Sequence, residues 1–289
     1  MTQGPGDVAG GDVAGGDVAG GDPLLYAGSA AHYAVGRVPY PPELAGVVAR
    51  TLGLDGTGVL LDVGCGPGSL TLPLAPLVAQ AVGIDADADM LAEAARQADR
   101  QGVGDVSWRR LRAEDLPADL PAPRLVTFAQ SFHWMDRPRV AAAVRSMLIA
   151  GGALLHVGAV THEGLDGPDD LPHPRPPRRA VEALVEAHLG PRQTPAQRVL
   201  AGRTAGDEDD VLRAAGFSGP ERVELPGRVV ERTVEEVAAS VYSLSSSTPH
   251  LFGDRLPAFD RDLRALLAAA SDDGRFSESM RPVALSSWR

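Results

Sequence analysis

Lysine is missing from this 289-residue chain, and all 27 of its basic residues are arginine. No lysine can therefore act as a base or form a Schiff base. Together with abundant Ala, Gly and Pro, this usage is that of a GC-rich genome and says little about function. Cysteine is nearly missing as well. A single residue, Cys65, excludes an intrachain disulfide and fits a reducing cytoplasm. No apolar run approaches ~18 residues, so no membrane-spanning helix is expected. The N-terminus has neither a basic nor an apolar region of the kind a signal peptide needs. Positive charge is in deficit: the formal net charge is −11, of which Asp7, Asp12, Asp17 and Asp22 supply four. An acidic surface repels phosphate backbones, so no nucleic-acid partner is expected. What the chain does have is 44% hydrophobic residues, enough for one sizeable core or for a core with a cap.

Residues 6–20 are three copies of GDVAG. Such a repeat offers too little apolar surface to offset the entropy of ordering, so 1–22 reads as a disordered tail. From 23 to 50 runs a lead-in segment whose last part, from Pro41, predicts a helix with Leu44, Val47 and Val48 on one face. The stretch 51–160 alternates short apolar runs with helical patterns. "GVLLDVG" (58–64), "AVGID", the start of "VSWRRLRAEDLP", "RLVTFAQ" (124–130) and "ALLHVGAV" (153–160) read as strands. Between them, "SLTLPLAPLVAQ" (69–80) predicts a helix shortened or kinked by Pro73 and Pro76. "DADMLAEAARQADRQG" predicts one capped by Asp87 and stopped near Gly102. "RVAAAVRSMLIAGG" predicts a third, ending at glycine.

Strands alternating with helices imply right-handed βαβ units and an α/β, doubly wound, Rossmann-like three-layer fold. Residues 161–206 break the pattern. The Pro-rich "DGPDDLPHPRPPRR" and the helical "AVEALVEAHLG" read as an insertion that caps the carboxyl edge of the sheet. The core resumes in 207–289, with "DEDDVLRAAGFSGPERVELPG", the helices "TVEEVAASVYSL" and "LPAFDRDLRALLAAA", and a last strand in "MRPVALSSW".

In such a fold ligands bind beyond the carboxyl ends of the strands, and Gly64, Gly66 and Gly68 stand there. Glycines let the backbone turn sharply and approach a ligand closely. A dinucleotide site would show GxGxxG with its pyrophosphate on the helix N-terminus. Here the spacing is GxGxG, and no arginine follows to meet a phosphate. A ligand with a nucleoside and an amino acid but no phosphate fits better. Asp85 ends the second strand, where a carboxylate can accept from two ribose hydroxyls or cap the next helix. Asp62 is an acid inside an apolar strand and requires partners: loop amides, or a ligand ammonium through water.

"LLDVGCGPG" followed by "VGIDADADML" resembles the class I S-adenosylmethionine-dependent methyltransferases. "YAVGRVPYPPEL" (33–44), "RAEDLP" (112–117) and "FAQSFHWMD" (128–136) extend the likeness to small-molecule enzymes similar to trans-aconitate methyltransferase. The resemblance implies S-adenosylmethionine as cofactor and S-adenosylhomocysteine as product. It sets Gly64, Gly66 and Gly68 beside the methionine part and ribose, and Asp85 on the ribose hydroxyls. Ala86 and Met90 then pack near the adenine, with Ala113 and Glu114 at its edge. Gln130 and Ser131 line the methionine end, and Tyr33 and Arg37 close over the cofactor. Arg112 departs from the family pattern. It stands where relatives often carry Asp or Ser, and a guanidinium cannot accept from the adenine amino group. Either Asp115 or a backbone carbonyl substitutes, or Arg112 points to solvent.

Methyl transfer from a sulfonium is an in-line displacement that needs alignment and dryness, and a base only where a proton must leave. His133 is the candidate base; it could instead orient its loop or pack on Trp134. Trp134 and Tyr40 are candidate acceptor walls. The remaining histidines lack metal-ligand spacing, so no metal is expected, and Cys65 reads as a space-filler. The function expected is methylation of O, N or C on a small-molecule metabolite, with secondary metabolism as the setting, by a cytoplasmic monomer or homodimer. The alternative is a cyclase-type enzyme or a non-catalytic binder that uses the same cofactor.

Overall fold

The computed structural model describes residues 26–167, 170–191 and 208–289. The repeat tail 1–22 and part of the 161–206 insertion lie outside the described residues. The first strand, β1 (Val59–Val63), has its last four residues buried. It is flanked by β2 (Gln80–Asp85) and β4 (Leu125–Ala129), both parallel to it. β3 (Val106–Arg110) adds beside β2, and β5 (Ala153–Gly158) beside β4. Two later strands, β6 (Glu221–Leu225) and β9 (Val283–Trp288), complete a seven-stranded sheet of order β3-β2-β1-β4-β5-β9-β6. Only β9 runs against the others, pairing antiparallel with β5 and β6.

Both faces of the sheet are covered, which is why its strands read as continuous apolar runs. Successive residues point to opposite faces. Leu61, Val82, Val126 and Leu154 join one core with Val140 and Val144 of α5 (Arg137–Met147). That core also takes Leu212 of α7 (Glu208–Ala214). Leu60, Ala81, Leu125 and Leu155 join another, with Leu44, Val48 and Leu52 of α2 (Leu44–Leu52) and Leu74 of α3 (Thr71–Leu74). Pro73 and Pro76 shorten α3 to one turn, which continues as a 3-10 turn over Ala75–Leu77. α4 (Ala88–Gln101) is capped by the Asp87 carboxylate, which accepts from Asp89 N at 2.8 Å, and stops at left-handed Gly102. α5 ends differently from expectation: it stops at Met147 with an extended Leu148, before its glycines.

A third apolar core stands apart from the sheet. α6 (Arg178–Leu189), α8 (Val234–Tyr242), α9 (Pro249–Phe252) and α10 (Leu256–Ala270) gather around Phe259, Leu263 and Leu267. A two-stranded sheet, β7 (Val229–Thr233) with β8 (Arg275–Ser279), lies against them. This cap is built from the insertion and from residues between β6 and β9. The N-terminal helix α1 (Ala30–Gly36) packs along α8 and also touches α4. Among the described residues, no helix is long and apolar enough to cross a membrane.

Candidate functional site

The strand order reverses between β1 and β4, and the loops leaving their carboxyl ends diverge into a cleft. With its open mouth included, the cleft measures about 1170 Å³. The glycine loop forms its floor. Gly64 N and Cys65 N both donate to Ile84 O, at 2.8 and 3.0 Å, so the loop leans onto β2. All three glycines are left-handed, with φ of +69°, +53° and +81° at Gly64, Gly66 and Gly68.

Their surroundings differ. A Cβ on Gly64 would stand 2.6 Å from the Ser131 side chain, and one on Gly68 2.9 Å from the Trp108 ring. A Cβ on Gly66 would meet nothing within 4 Å. Two of the glycines thus admit neighbouring side chains, and Gly66 leaves free space beside a cleft that it lines.

Asp85 closes this corner. Its Oδ2 accepts from Gly66 N at 2.8 Å and its Oδ1 from Asp87 N at 2.9 Å. Burial raises its pKa, while those amide hydrogen bonds pull the other way. Asp62 lies deeper and takes two hydroxyls, to which the Thr71 backbone N–H adds a weaker hydrogen bond. Thr71 Oγ1 donates to it at 2.6 Å and Thr127 Oγ1 at 2.7 Å. Burial pushes its carboxyl up to about 6 against those two hydrogen bonds, and the Asp85 charge adds to the rise.

Four further segments supply the walls. Ala86, Asp87 and Met90 come from the start of α4. Leu111, Arg112, Ala113 and Glu114 come from the loop after β3. Glu114 accepts from Asp136 N at 3.0 Å, and Arg112 approaches it at 3.7 Å. Asp115 does not line the cleft, so the acceptor-bearing side chain on this wall is Glu114. Gln130, Ser131, Trp134 and Met135 follow β4. Ser131 Oγ donates to Val63 O at 2.7 Å, which ties this loop to the end of β1. Gln130 is left-handed, with φ +59°. The last wall is aromatic: three of the chain's four tyrosines, Tyr26, Tyr33 and Tyr40, line the cleft. Tyr26 sets its ring at right angles to both Tyr33 and Trp134, with centroids 6.4 and 6.3 Å away.

Three residues named from the sequence stand off these walls. Gly68 packs under Trp108. Arg37 turns away, donating from Nε to Ser243 Oγ at 2.8 Å while its guanidinium lies 4.5 Å from the Tyr33 ring centre. His133 is absent from the lining, and its ring lies 4.9 Å from that of Trp134. Sequence reasoning missed Tyr26, which belongs to no periodic segment, and Met135, which follows the recognised motif directly. Among the described residues, no group of three or more His, Cys, Asp or Glu side chains could hold a metal ion.

Residues 60–152 match the family model described as a methyltransferase domain. Over these residues the chain carries a methyltransferase domain. It is similar to a probable S-adenosylmethionine-dependent methyltransferase of Saccharomyces cerevisiae, 30% identical over 146 residues, which are 49% of this chain and 49% of that protein. A 23S rRNA (uracil(1939)-C(5))-methyltransferase of Acidithiobacillus ferrooxidans is 41% identical over 70 residues, 24% of this chain and 14% of that one. The matches thus span about half or less of these curated relatives. Among solved structures, a precorrin 8W decarboxylase from Methanobacterium thermoautotrophicum superimposes with a TM-score of 0.47 at 17% identity, covering 86% of this chain and 92% of its own. The methyltransferase domain holds the glycine loop, Asp85, the loop after β3 and the loop after β4. The tyrosines come from outside it.

Proposed function

We propose that this chain methylates an O, N or C nucleophile of a small molecule with S-adenosylmethionine. The observation that carries the reading is the corner made by Gly66 and Asp85. A left-handed glycine leaves open space there, and beside it a half-buried carboxylate ends β2. The residues present fit the cofactor. Asp85 would accept from the ribose hydroxyls, and Gly64 and Gly66 would let the backbone approach the ribose and methionine. Ala86, Met90 and Ala113 would pack against the adenine, with Glu114 at its polar edge. Gln130 and Ser131 would line the methionine end, and Tyr33 would cover it. Bound there, the cofactor supplies a methyl group already activated on a sulfonium.

The chain's own part is alignment and exclusion of water, worth ~7–11 kcal/mol in such a displacement. Tyr26, Tyr40 and Trp134 would wall the acceptor side. His133 buttresses Trp134, which favours positioning over acid–base work for it. Four carboxylates on the walls (Asp62, Asp85, Asp87 and Glu114) against one arginine suit a cationic ligand. The chain's net charge of −11 favours a small acceptor over a nucleic acid.

Calorimetric titration with S-adenosylhomocysteine tests the reading. Wild type is expected to bind, and Asp85→Ala to lose ~1.5–3 kcal/mol of affinity. No binding by wild type would sink the proposal. Transfer of a labelled methyl group to a panel of small metabolites then identifies the acceptor.

A further inference from the structure

The cleft's aromatic wall is attached to the cap, and one buried ion pair makes the attachment. α1 crosses α8 at backbone contact: a Cβ on Gly36 would stand 2.3 Å from the Ala239–Ser240 peptide. At that crossing Arg232 of β7 donates to Gly36 O at 2.5 Å and to Glu236 O at 2.7 Å. Its charge is met by Glu278 of β8 at 3.1 Å, and the two side chains are 3% and 4% exposed. Glu278 in turn accepts from Arg178 of α6 at 2.7 Å and from Gly164 N at 2.9 Å. Insertion loop, α6, β7 and β8 therefore converge on one carboxylate, and α1 joins them through Arg232. One residue past Gly36, Arg37 grips the end of α8, donating to Ser243 Oγ at 2.8 Å and Ser243 O at 2.9 Å, and covers the Tyr33 ring. Tyr33 then meets Tyr26, and Tyr26 meets Trp134 across the cleft.

We propose that Arg232 and Glu278 are positioning residues for the cofactor cleft, acting through Gly36 and Arg37 on Tyr33. Neither lines the cleft. A buried arginine held by four carbonyl or carboxylate partners, the His162 carbonyl at 3.3 Å among them, has one arrangement, so it fixes the helix end that it grips. The cap thereby sets how closely Tyr33 and Tyr26 cover a bound cofactor. The inference rests on the cofactor reading above, and its test separates the two.

The full chain would be compared as wild type, Glu278→Gln, Tyr33→Ala and the double variant. The readouts are S-adenosylhomocysteine affinity, acrylamide quenching of tryptophan fluorescence and melting temperature. Trp134 is the one tryptophan of the three that lines the cleft. Glu278→Gln is expected to weaken binding about three- to tenfold and to raise quenching. In the Tyr33→Ala background it should cause no further loss, because the two changes share one route. A lower melting temperature with unchanged affinity and quenching would reduce the pair to a structural role and overturn the proposal, as would fully additive losses. If Glu278→Gln does not fold, Ser243→Ala leaves no buried charge and removes one hydrogen bond from Arg37. It should give the same pattern at about twofold, and no change in either readout would overturn the proposal. Failure of the wild type to bind would count against the cofactor reading alone, and quenching would still decide the positioning role.

Discussion

Asp62 is a carboxyl whose hydrogen bonds all come from neutral groups, the Thr71 and Thr127 hydroxyls foremost, so no cation compensates its charge inside β1. Its carboxyl stands at about 6 in the fold against 3.8 in the open chain. Between those values the folded chain holds a proton that the unfolded chain has released. Stability from this group is therefore present at pH 4 and is lost as pH rises through about 6. Asp62→Asn cannot titrate; its amide oxygen still accepts from one hydroxyl, and its NH2 donates to the other once that hydroxyl turns. Denaturant melts at pH 4 and pH 7 should show the variant gaining on wild type by on the order of 2–3 kcal/mol between the two. Parallel pH slopes would refute the shift. The same carboxylate lines the cleft proposed to take the cofactor. S-adenosylmethionine, which carries the sulfonium charge, should lose affinity below pH 6 more steeply than S-adenosylhomocysteine, which lacks it. Calorimetry with the two ligands at pH 5 and pH 7 measures the difference.

The glycine loop shows how one motif divides between folding and binding. Its three glycines look equivalent in the sequence, and the structure gives them unequal work. Ala at any of them must adopt a left-handed backbone, at a cost of ~1–2 kcal/mol. Gly64→Ala and Gly68→Ala add a collision with Ser131 or Trp108, so both should lower the melting temperature markedly. Gly66→Ala adds no collision within the protein and should melt only slightly earlier, yet it should lose most of its S-adenosylhomocysteine affinity. Equal affinity losses at all three would contradict this division.

The same contrast explains what was legible. Strands buried on both faces and helices with clear caps, such as α4 between Asp87 and Gly102, announce themselves locally. β7 and β8 did not. "VVERT" and "RFSES" are short and polar, and they pair across more than 40 residues, so only the folded cap defines them. Of the candidate site, the floor and the loops after β3 and β4 could be read from motifs. A motif carries spacing but not direction, so it could not show Arg37 and Gly68 turning to packing. Nor does any local signal mark Gln130 as left-handed or bring Tyr26 to Trp134.

At the scale of the molecule, the methyltransferase domain and the cap have separate apolar cores and share α1. Phe259 is fully buried at the centre of the cap, stacked on Phe252 with ring centres 4.0 Å apart. Truncation to Ala should cost about 3–5 kcal/mol, through lost burial and the cavity left behind. The sheet cores do not touch this residue, so the damage should stay local. Amide exchange in Phe259→Ala should speed up in α6, α8 and α10 while β1 and β4 keep their protection. The diagnostic element is α1. If the cap holds it through Arg232 and Ser243, α1 should lose protection with the cap, and S-adenosylhomocysteine affinity should fall although no cleft residue has changed. If α1 stays protected, α4 holds it instead, and the cofactor cleft would be indifferent to the cap above it.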